Sequence, residues 1–313
     1  MPQRVSDILR SPPPSLPLFL IPGLLPEQGH LIIGGKWAIG KTLLNLELIS
    51  SLVRGVPFLG IFPVSKPRRV LLVQAEMPGA TFISERIMPL ANISRNGVFD
   101  NFYLEQSTTF RLTSGMDTAS LIKVANSCSP EFVSVDPLYS IHVGSFNEAG
   151  VVNETLQCLN YISLQTKSAV NLVAHFRKAF RTNSGKKLVQ DADDIIGSSF
   201  FANWADAIIT IIPLEEETEN TLHPLRQINF DKTRWIFPLG SLTARIYMEP
   251  PFIRPDKLSP NLRILQALHT GSNTASAISK RASTNYKYTQ EILEALVRKG
   301  ILTLNGGDYA FAI

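Results

Sequence analysis

Residues Gly35, Lys36, Trp37, Ala38, Ile39, Gly40, Lys41 and Thr42 spell G-x-x-x-x-G-K-[ST], followed by Leu43. In such a loop the two glycines let backbone N–H groups turn inward around a β-phosphate. The lysine reaches the β- and γ-phosphates, and the threonine hydroxyl can ligate Mg²⁺. The chemistry implied is binding of ATP with Mg²⁺ by the stretch from Gly35 to Leu43. Two carboxylates extend it. Asp136 ends the apolar run Phe132-Val133-Ser134-Val135, where it can hold the metal or its water shell together with Thr42. Glu76 follows the run 70–75 and, if that strand neighbours the phosphate-loop strand, could polarise a water attacking the γ-phosphate. A base at that position favours a hydrolase over a kinase.

The surrounding pattern supplies the elements such a loop needs. Residues 30–33 form a short apolar run that reads as the feeding strand. Leu43, Leu44, Leu46, Leu48, Ile49 and Leu52 predict the following helix, with Gly55 as its C-cap. Further short, β-branched runs lie at 70–75, 132–135, 170–174 and 207–212, as in a parallel sheet covered on both faces. Strands near 226–230 and 244–248 should extend that sheet in antiparallel fashion. The domain reading is an extended arm at 1–15 carrying Pro12-Pro13-Pro14, an α/β domain at 16–249, a proline-rich linker at 250–257 and a small module at 258–313. That module reads as helices at 261–269, 274–282 and 286–299, then a hairpin turning at Asn305-Gly306-Gly307, the pattern of a winged helix-turn-helix.

Bulk properties agree with an α/β protein of 313 residues, 44% hydrophobic and with a net charge of +4. The charge is uneven. From residue 258 onward the bases Arg263, Lys280, Arg281, Lys287, Arg298 and Lys299 outnumber the acids Glu291, Glu294 and Asp308, which suits either a polyanionic partner or a solvated surface. Cys128 and Cys158 lack metal-site spacing. No apolar run approaches the roughly 20 residues of a membrane span, and Pro17 and Pro22 interrupt the apolar stretch 16–25. A cytoplasmic protein without a membrane partner is the expectation.

The run Val70-Leu71-Leu72-Val73-Gln74-Ala75-Glu76-Met77-Pro78, with Arg86 further on, resembles the matching strand, glutamate and helix of hexameric replicative helicases of the DnaB and plasmid RepA type. Phe19-Leu20-Ile21-Pro22-Gly23-Leu24-Leu25-Pro26 and Asp136-Pro137-Leu138 are also similar to the RepA-like branch of RecA-fold ATPases, so the likeness runs from about residue 18 to 248. It implies a RecA-like P-loop core in a homo-oligomeric ring, a hexamer, that hydrolyses ATP at subunit interfaces and translocates single-stranded DNA. Within Ala174-His175-Phe176-Arg177-Lys178 it implies that His175 senses the γ-phosphate. Gly197-Ser198-Ser199 resembles the family's turn before a helix. Lys232-Thr233-Arg234 is similar to the K-x-R element whose Lys and Arg act on a neighbour's nucleotide, which completes a catalytic set of Lys41, Glu76, His175, Lys232 and Arg234. Trp37 and Ile39 depart from the small residues common in the loop, which points to an unusual nucleotide affinity or base preference.

Two segments, 140–151 and 177–196, follow core strands where RecA-like rings aim loops at a central channel. The second carries Arg177, Lys178, Arg181, Lys186 and Lys187, and could track a phosphate backbone, although Asp191, Asp193 and Asp194 weaken its charge. In the tail, Asn285, Lys287 and Gln290 would face a duplex groove while Ile292, Leu293, Leu296 and Val297 face the core, unless the module docks a replication protein instead. Two other functions stay open: a RecA-like recombination or regulatory ATPase that assembles on DNA without unwinding, and an ATP-controlled DNA-binding initiator or regulator.

Overall fold

Continuous apolar strands dictate the architecture. In the computed structural model, which describes residues 4–5, 17–91, 99–106, 112, 115–141, 148–176, 198–214, 222–271 and 273–312, they assemble into one nine-stranded sheet. A small hairpin, β1 (Phe19–Ile21) with β2 (Leu25–Pro26), precedes it. The main strands in chain order are β3 (His30–Gly35), β4 (Val70–Gln74), β5 (Phe102–Gln106), β6 (Phe132–Asp136), β7 (Ala169–His175) and β8 (Ala207–Pro213), followed by β9 (Leu225–Thr233), β10 (Ser241–Ile246) and β11 (Ile253–Leu258). Their spatial order is β11-β10-β9-β8-β3-β7-β6-β4-β5, parallel from β8 to β5 and antiparallel from β8 to β11.

Side-chain alternation explains why both faces are covered. Along β3, Leu31 and Ile33 enter one hydrophobic cluster while Ile32 enters the other, and β4 divides Val70 and Leu72 from Leu71 and Val73 in the same way. Helix α1 (Lys41–Arg54) packs on the first face, where Leu44, Leu46, Leu48, Ile49 and Leu52 are fully buried, and stops at Gly55 in the left-handed region. The chain then forms a short helical run made of α2 (Gly79–Phe82), a π-helical turn (Ile83–Ile87) and α3 (Met88–Ala91). Helices α4 (Gly115–Cys128) and α6 (Ala149–Thr166) contribute Leu121, Ala125, Leu159 and Ile162 to the second face. The short α5 (Leu138–Ile141) and α7 (Ser198–Trp204) follow β6 and precede β8.

Two expectations are corrected. The strand carrying Glu76 is not a neighbour of the phosphate-loop strand, because β7 and β6 stand between β3 and β4. The segment 250–257 is not a free linker. Most of it is β11, which pairs with β10 from Ile246↔Ile253 to Leu242↔Leu258, and the Glu47 carboxylate on α1 accepts the Phe252 N–H at 2.8 Å. An edge strand tolerates Pro255 because one side of its backbone has no strand to bond.

Beyond β11 come α8 (Pro260–His269), α9 (Ala275–Ala282), α10 (Tyr286–Arg298) and the hairpin β12 (Leu302–Asn305) and β13 (Asp308–Phe311). Each helix opens on a side-chain cap: Ser259 accepts from Leu262 N–H, Thr274 from Ala277 N–H and Asn285 from Tyr288 N–H. Gly306 and Gly307 supply the two positive φ angles of the hairpin turn. A bridge between Thr274 and Asp308, with Tyr309 N–H donating to Asn273 O at 2.8 Å, ties the hairpin to the start of α9. Leu262, Leu265, Ile301 and Leu302 belong to the same hydrophobic cluster as Leu25 and Ile236 of the large domain. Among the described residues no helix is long and apolar enough to cross a membrane.

His30, at the start of β3, carries a pH prediction. Its ring stacks on Trp204 at 4.2 Å, and burial lowers its pKa from the ordinary 6.5 despite the carboxylate of Asp206, with Arg234 pushing the same way as burial. A folded-state pKa below the unfolded one means that protonation favours the unfolded chain. The stability His30 supports is therefore present above pH 6.5 and declines as pH falls below it, at up to about 1.4 kcal/mol per pH unit. Denaturant unfolding at pH 7.5 and pH 5.5 should show a smaller acid loss for His30→Phe, which keeps the stacking ring, than for the native chain.

Candidate functional site

The phosphate loop takes its shape from two glycines. A Cβ on Gly35 would stand 2.7 Å from Ile211 O of the adjacent strand β8, and Gly40, at φ 109°, holds a conformation that side chains resist. Gly40 is also the N-cap of α1 and brings no side-chain hydrogen bond, so the first amide N–H groups of the helix face the loop without a capping acceptor. Inside the loop Lys41 is only 5% exposed as a residue, and its ammonium donates to Lys36 O at 2.5 Å and lies 3.1 Å from His175 Nδ1.

Asp136 ends β6 fully inside the protein. Its Oδ1 accepts from Thr42 Oγ1 at 3.3 Å and its Oδ2 from Asn45 Nδ2 at 3.3 Å. Burial pushes its carboxyl up to about 6, while the hydrogen bonds from Asn45 and Thr42 pull the other way. Burial likewise lowers Lys41 to about 8 against the attraction of Asp136 and Glu76. His175 falls to about 4 through burial and then the charge of Lys41, so its neutral ring can accept from the ammonium. Glu76 reaches the same place by overhang. Gln74 of β4 sits level with Asp136, and Ala75 N–H donates to Asp136 O at 3.1 Å, so Glu76 projects just past the end of β6.

A cleft of about 410 Å³ opens here, with Trp37, Lys41, Glu76, Arg86, Asp136 and His175 on its walls. Its fit to a magnesium nucleotide is good. The glycine cradle has no room for a Cβ at Gly35, a buried cation waits at its centre, and Thr42 and Asp136 offer hard oxygen donors. Among the described residues no group of three or more His, Cys, Asp or Glu forms a metal cage. A Mg²⁺ ion would therefore lean on these two residues, phosphate oxygens and water.

The remaining sequence candidates lie elsewhere. Lys232 and Arg234 stand by the start of β8, where Thr233 pairs with Ala207 and Arg234 bonds Asp206 Oδ1 at 3.0 Å. Ala207 is level with Leu31, four residues before Gly35, which puts the pair about 13 Å from the loop along the strands. Lys232 Nζ donates to Ala202 O, and burial followed by Arg234 lowers its pKa. Lys287 is exposed at the start of α10. Arg177, Lys178, Arg181, Lys186 and Lys187 fall outside the described residues, as does 142–147 of the first proposed channel segment. Of the three expected groove-facing residues, Asn285 is engaged as a helix cap, Gln290 bonds Glu294 at 2.9 Å, and Lys287 is the exposed cation.

Sequence reasoning missed Asn45, hidden within an apolar helix, and Tyr139, whose ring packs 5.0 Å from that of His175. Burial raises the Tyr139 pKa, followed by its hydrogen-bonding and charge interactions with Glu76. The resemblance named Arg86, but only the fold places it on the cleft wall.

The profile of AAA_25, an AAA domain, matches residues 1–180, more than half of the chain. The chain belongs to the AAA_25 family. The matched stretch takes in the phosphate loop, Glu76, Asp136 and His175 of this AAA_25 domain, whereas Lys232, Arg234 and the C-terminal module lie beyond it. Among solved structures it is similar to a KaiC-like protein from the hyperthermophilic archaeon Pyrococcus horikoshii OT3, at 16% identity and a TM-score of 0.53, covering 76% of this chain and 94% of that one. No curated protein matches it. Family and fold together make this AAA_25 chain a P-loop ATPase whose mostly parallel sheet is consistent with a RecA-like core.

Lys41→Met tests the loop. Removing a buried cation should leave the melting temperature of the nucleotide-free protein unchanged or slightly higher. The same variant should lose the rise of a few degrees that saturating ATP with Mg²⁺ gives the native chain. Differential scanning fluorimetry reads both effects.

Proposed function

We propose that the chain is an ATP-dependent DNA motor that works as a homo-oligomeric ring, hydrolysing ATP at sites shared between subunits and drawing single-stranded DNA through them. The observation that carries this reading is a separation. Lys41, Glu76, Asp136 and His175 converge on one cleft, while Lys232 and Arg234 stand at the opposite end of the same strands. A cation pair so placed cannot serve its own loop, but it is available to a second copy. Half of the Arg234 side-chain surface, 45%, remains open.

In this reading Lys41 binds the β- and γ-phosphates, and Thr42 and Asp136 hold the metal, which when bound neutralises phosphate charge. Glu76 accepts a proton from the attacking water. His175, already in contact with Lys41, registers whether the γ-phosphate is present and passes that state to the segment that follows it. Arg234, with Lys232, stabilises charge developing on a neighbour's phosphate, a contribution worth ~10³ to 10⁵ in rate where arginine acts in trans. The basic stretch from Arg177 to Lys187 is the proposed contact to the DNA backbone. What supports DNA as the track is the resemblance to DnaB- and RepA-type helicases, together with those basic residues.

A second reading is favoured by the C-terminal module. Three capped helices, a β-hairpin and the Thr274 to Asp308 bridge suit a winged helix-turn-helix, with exposed Lys287 at the start of its third helix. In that case ATP controls the assembly of a regulator that recognises duplex DNA. A sequence-specific footprint that disappears with Lys287→Glu would support the regulator, and forked-duplex unwinding without such a footprint would support the motor.

The shared site has its own test. Glu76→Gln should bind nucleotide with near-native affinity yet turn over at least ~10²-fold more slowly. Arg234→Ala should also be inactive alone, but should regain ATPase activity when mixed with Lys41→Ala subunits, because mixed interfaces unite an intact loop with an intact arginine. Normal hydrolysis by Arg234→Ala would overturn the assignment.

A further inference from the structure

Beneath the phosphate loop, on the α1 side of the sheet, three polar side chains sit where the alternation calls for apolar ones. Asn45, Ser134 and Asn171 are each fully buried. The register of β6 against β7 sets Ser134 directly beside Asn171, and Asn45 lies one turn along α1 from Lys41. Ser134 Oγ donates to Asn45 Oδ1 at 2.9 Å, and Asn171 Nδ2 donates to the same oxygen at 3.0 Å and to Ser134 Oγ at 3.0 Å. Asn171 Oδ1 has no partner. Packing alone has no need of such a group, since apolar side chains would fill the space without desolvating polar atoms.

The arrangement acts on the amide of Asn45. Two donors converge on its Oδ1, so its NH₂ must point the other way, and there it meets Asp136 Oδ2 at 3.3 Å. The other carboxylate oxygen, Oδ1, is left facing Thr42 Oγ1. We infer that Asn45, oriented by Ser134 and Asn171, is a positioning residue for the metal. It pins one oxygen of Asp136 so that the other is presented beside the Thr42 hydroxyl. The inference rests on the reading that Asp136 serves Mg²⁺.

The experiment is an equilibrium titration of a fluorescent ADP analogue, in EDTA and at increasing Mg²⁺, on the full chain. For Asn45→Ala and Asn45→Asp the Mg²⁺ midpoint should rise about 10- to 100-fold, the usual effect of losing a partner that orients a metal ligand. Metal-free nucleotide affinity should stay within about twofold of native, a split that a merely structural role would not produce. Ser134→Ala, which removes one of the two orienting donors, should give a smaller rise and keeps the test available if the Asn45 variants do not fold. An unchanged midpoint in a folded Asn45 or Ser134 variant would overturn the inference, as would equal losses with and without metal. Asp136→Asn separates the two levels. If it leaves the midpoint unchanged, the reading of Asp136 itself fails, and with it this inference. If it raises the midpoint while the Asn45 variants do not, only the role of Asn45 fails. Combining Asn45→Ala with Asp136→Asn should raise the midpoint no further than Asp136→Asn alone.

Discussion

A positive charge kept almost dry at the end of an apolar sheet is the constraint around which this structure is arranged. Lys41 is 5% exposed, its ammonium held by a backbone carbonyl and a histidine ring and depressed in basicity to about 8. Burying a cation without a full counter-charge is unfavourable. A phosphate group entering the loop would relieve that imbalance. The chain therefore holds, before any ligand arrives, an electrostatic demand that an anion satisfies. Asp136 and Glu76 attract the same ammonium through charge, while its close contacts are Lys36 O and His175 Nδ1. The cation is thus balanced rather than neutralised.

The sheet makes this possible. Parallel strands fed from one side place the ends of β3, β6 and β7 together, with β4 reaching over from one strand further away. Ligand sites of open α/β sheets form at such strand ends. Asp136, His175 and the phosphate loop need no long loops to meet, because each is the last or next residue of a buried strand. The same topology sends Lys232 and Arg234 to the other end, since β9 returns antiparallel to β8.

Much of this was legible in the residues. Strands such as Val70–Gln74 and Ala169–His175 announce themselves because both faces are buried and most of each run is apolar, and the tail helices because their caps and apolar stripes agree. Other parts were hidden for physical reasons. β5 is a half-buried edge strand, so Phe102–Gln106 lacks both a continuous run and a clean alternation. β11 reads as linker because Pro255 and its charges are tolerated only where one side of the strand is unpaired. Strand order is a long-range property, so Glu76 could be assigned to the cleft while its strand was given the wrong neighbour. Asn45 was invisible for a different reason: one amide inside an apolar helix gains meaning only from Ser134 and Asn171, which lie far away in the chain.

The pairing of β11 with β10 has a mechanical side. Glu47, midway along the helix that begins at Lys41, bonds the backbone at Phe252, and eight residues later, at Pro260, the chain enters the C-terminal helices, which share their hydrophobic cluster with the large domain. The small module is thus not a bead on a string but a boss cast onto the frame. A few degrees of rigid rotation of the ATPase body would sweep its far surface through a larger arc, with no slack in the joint to absorb it.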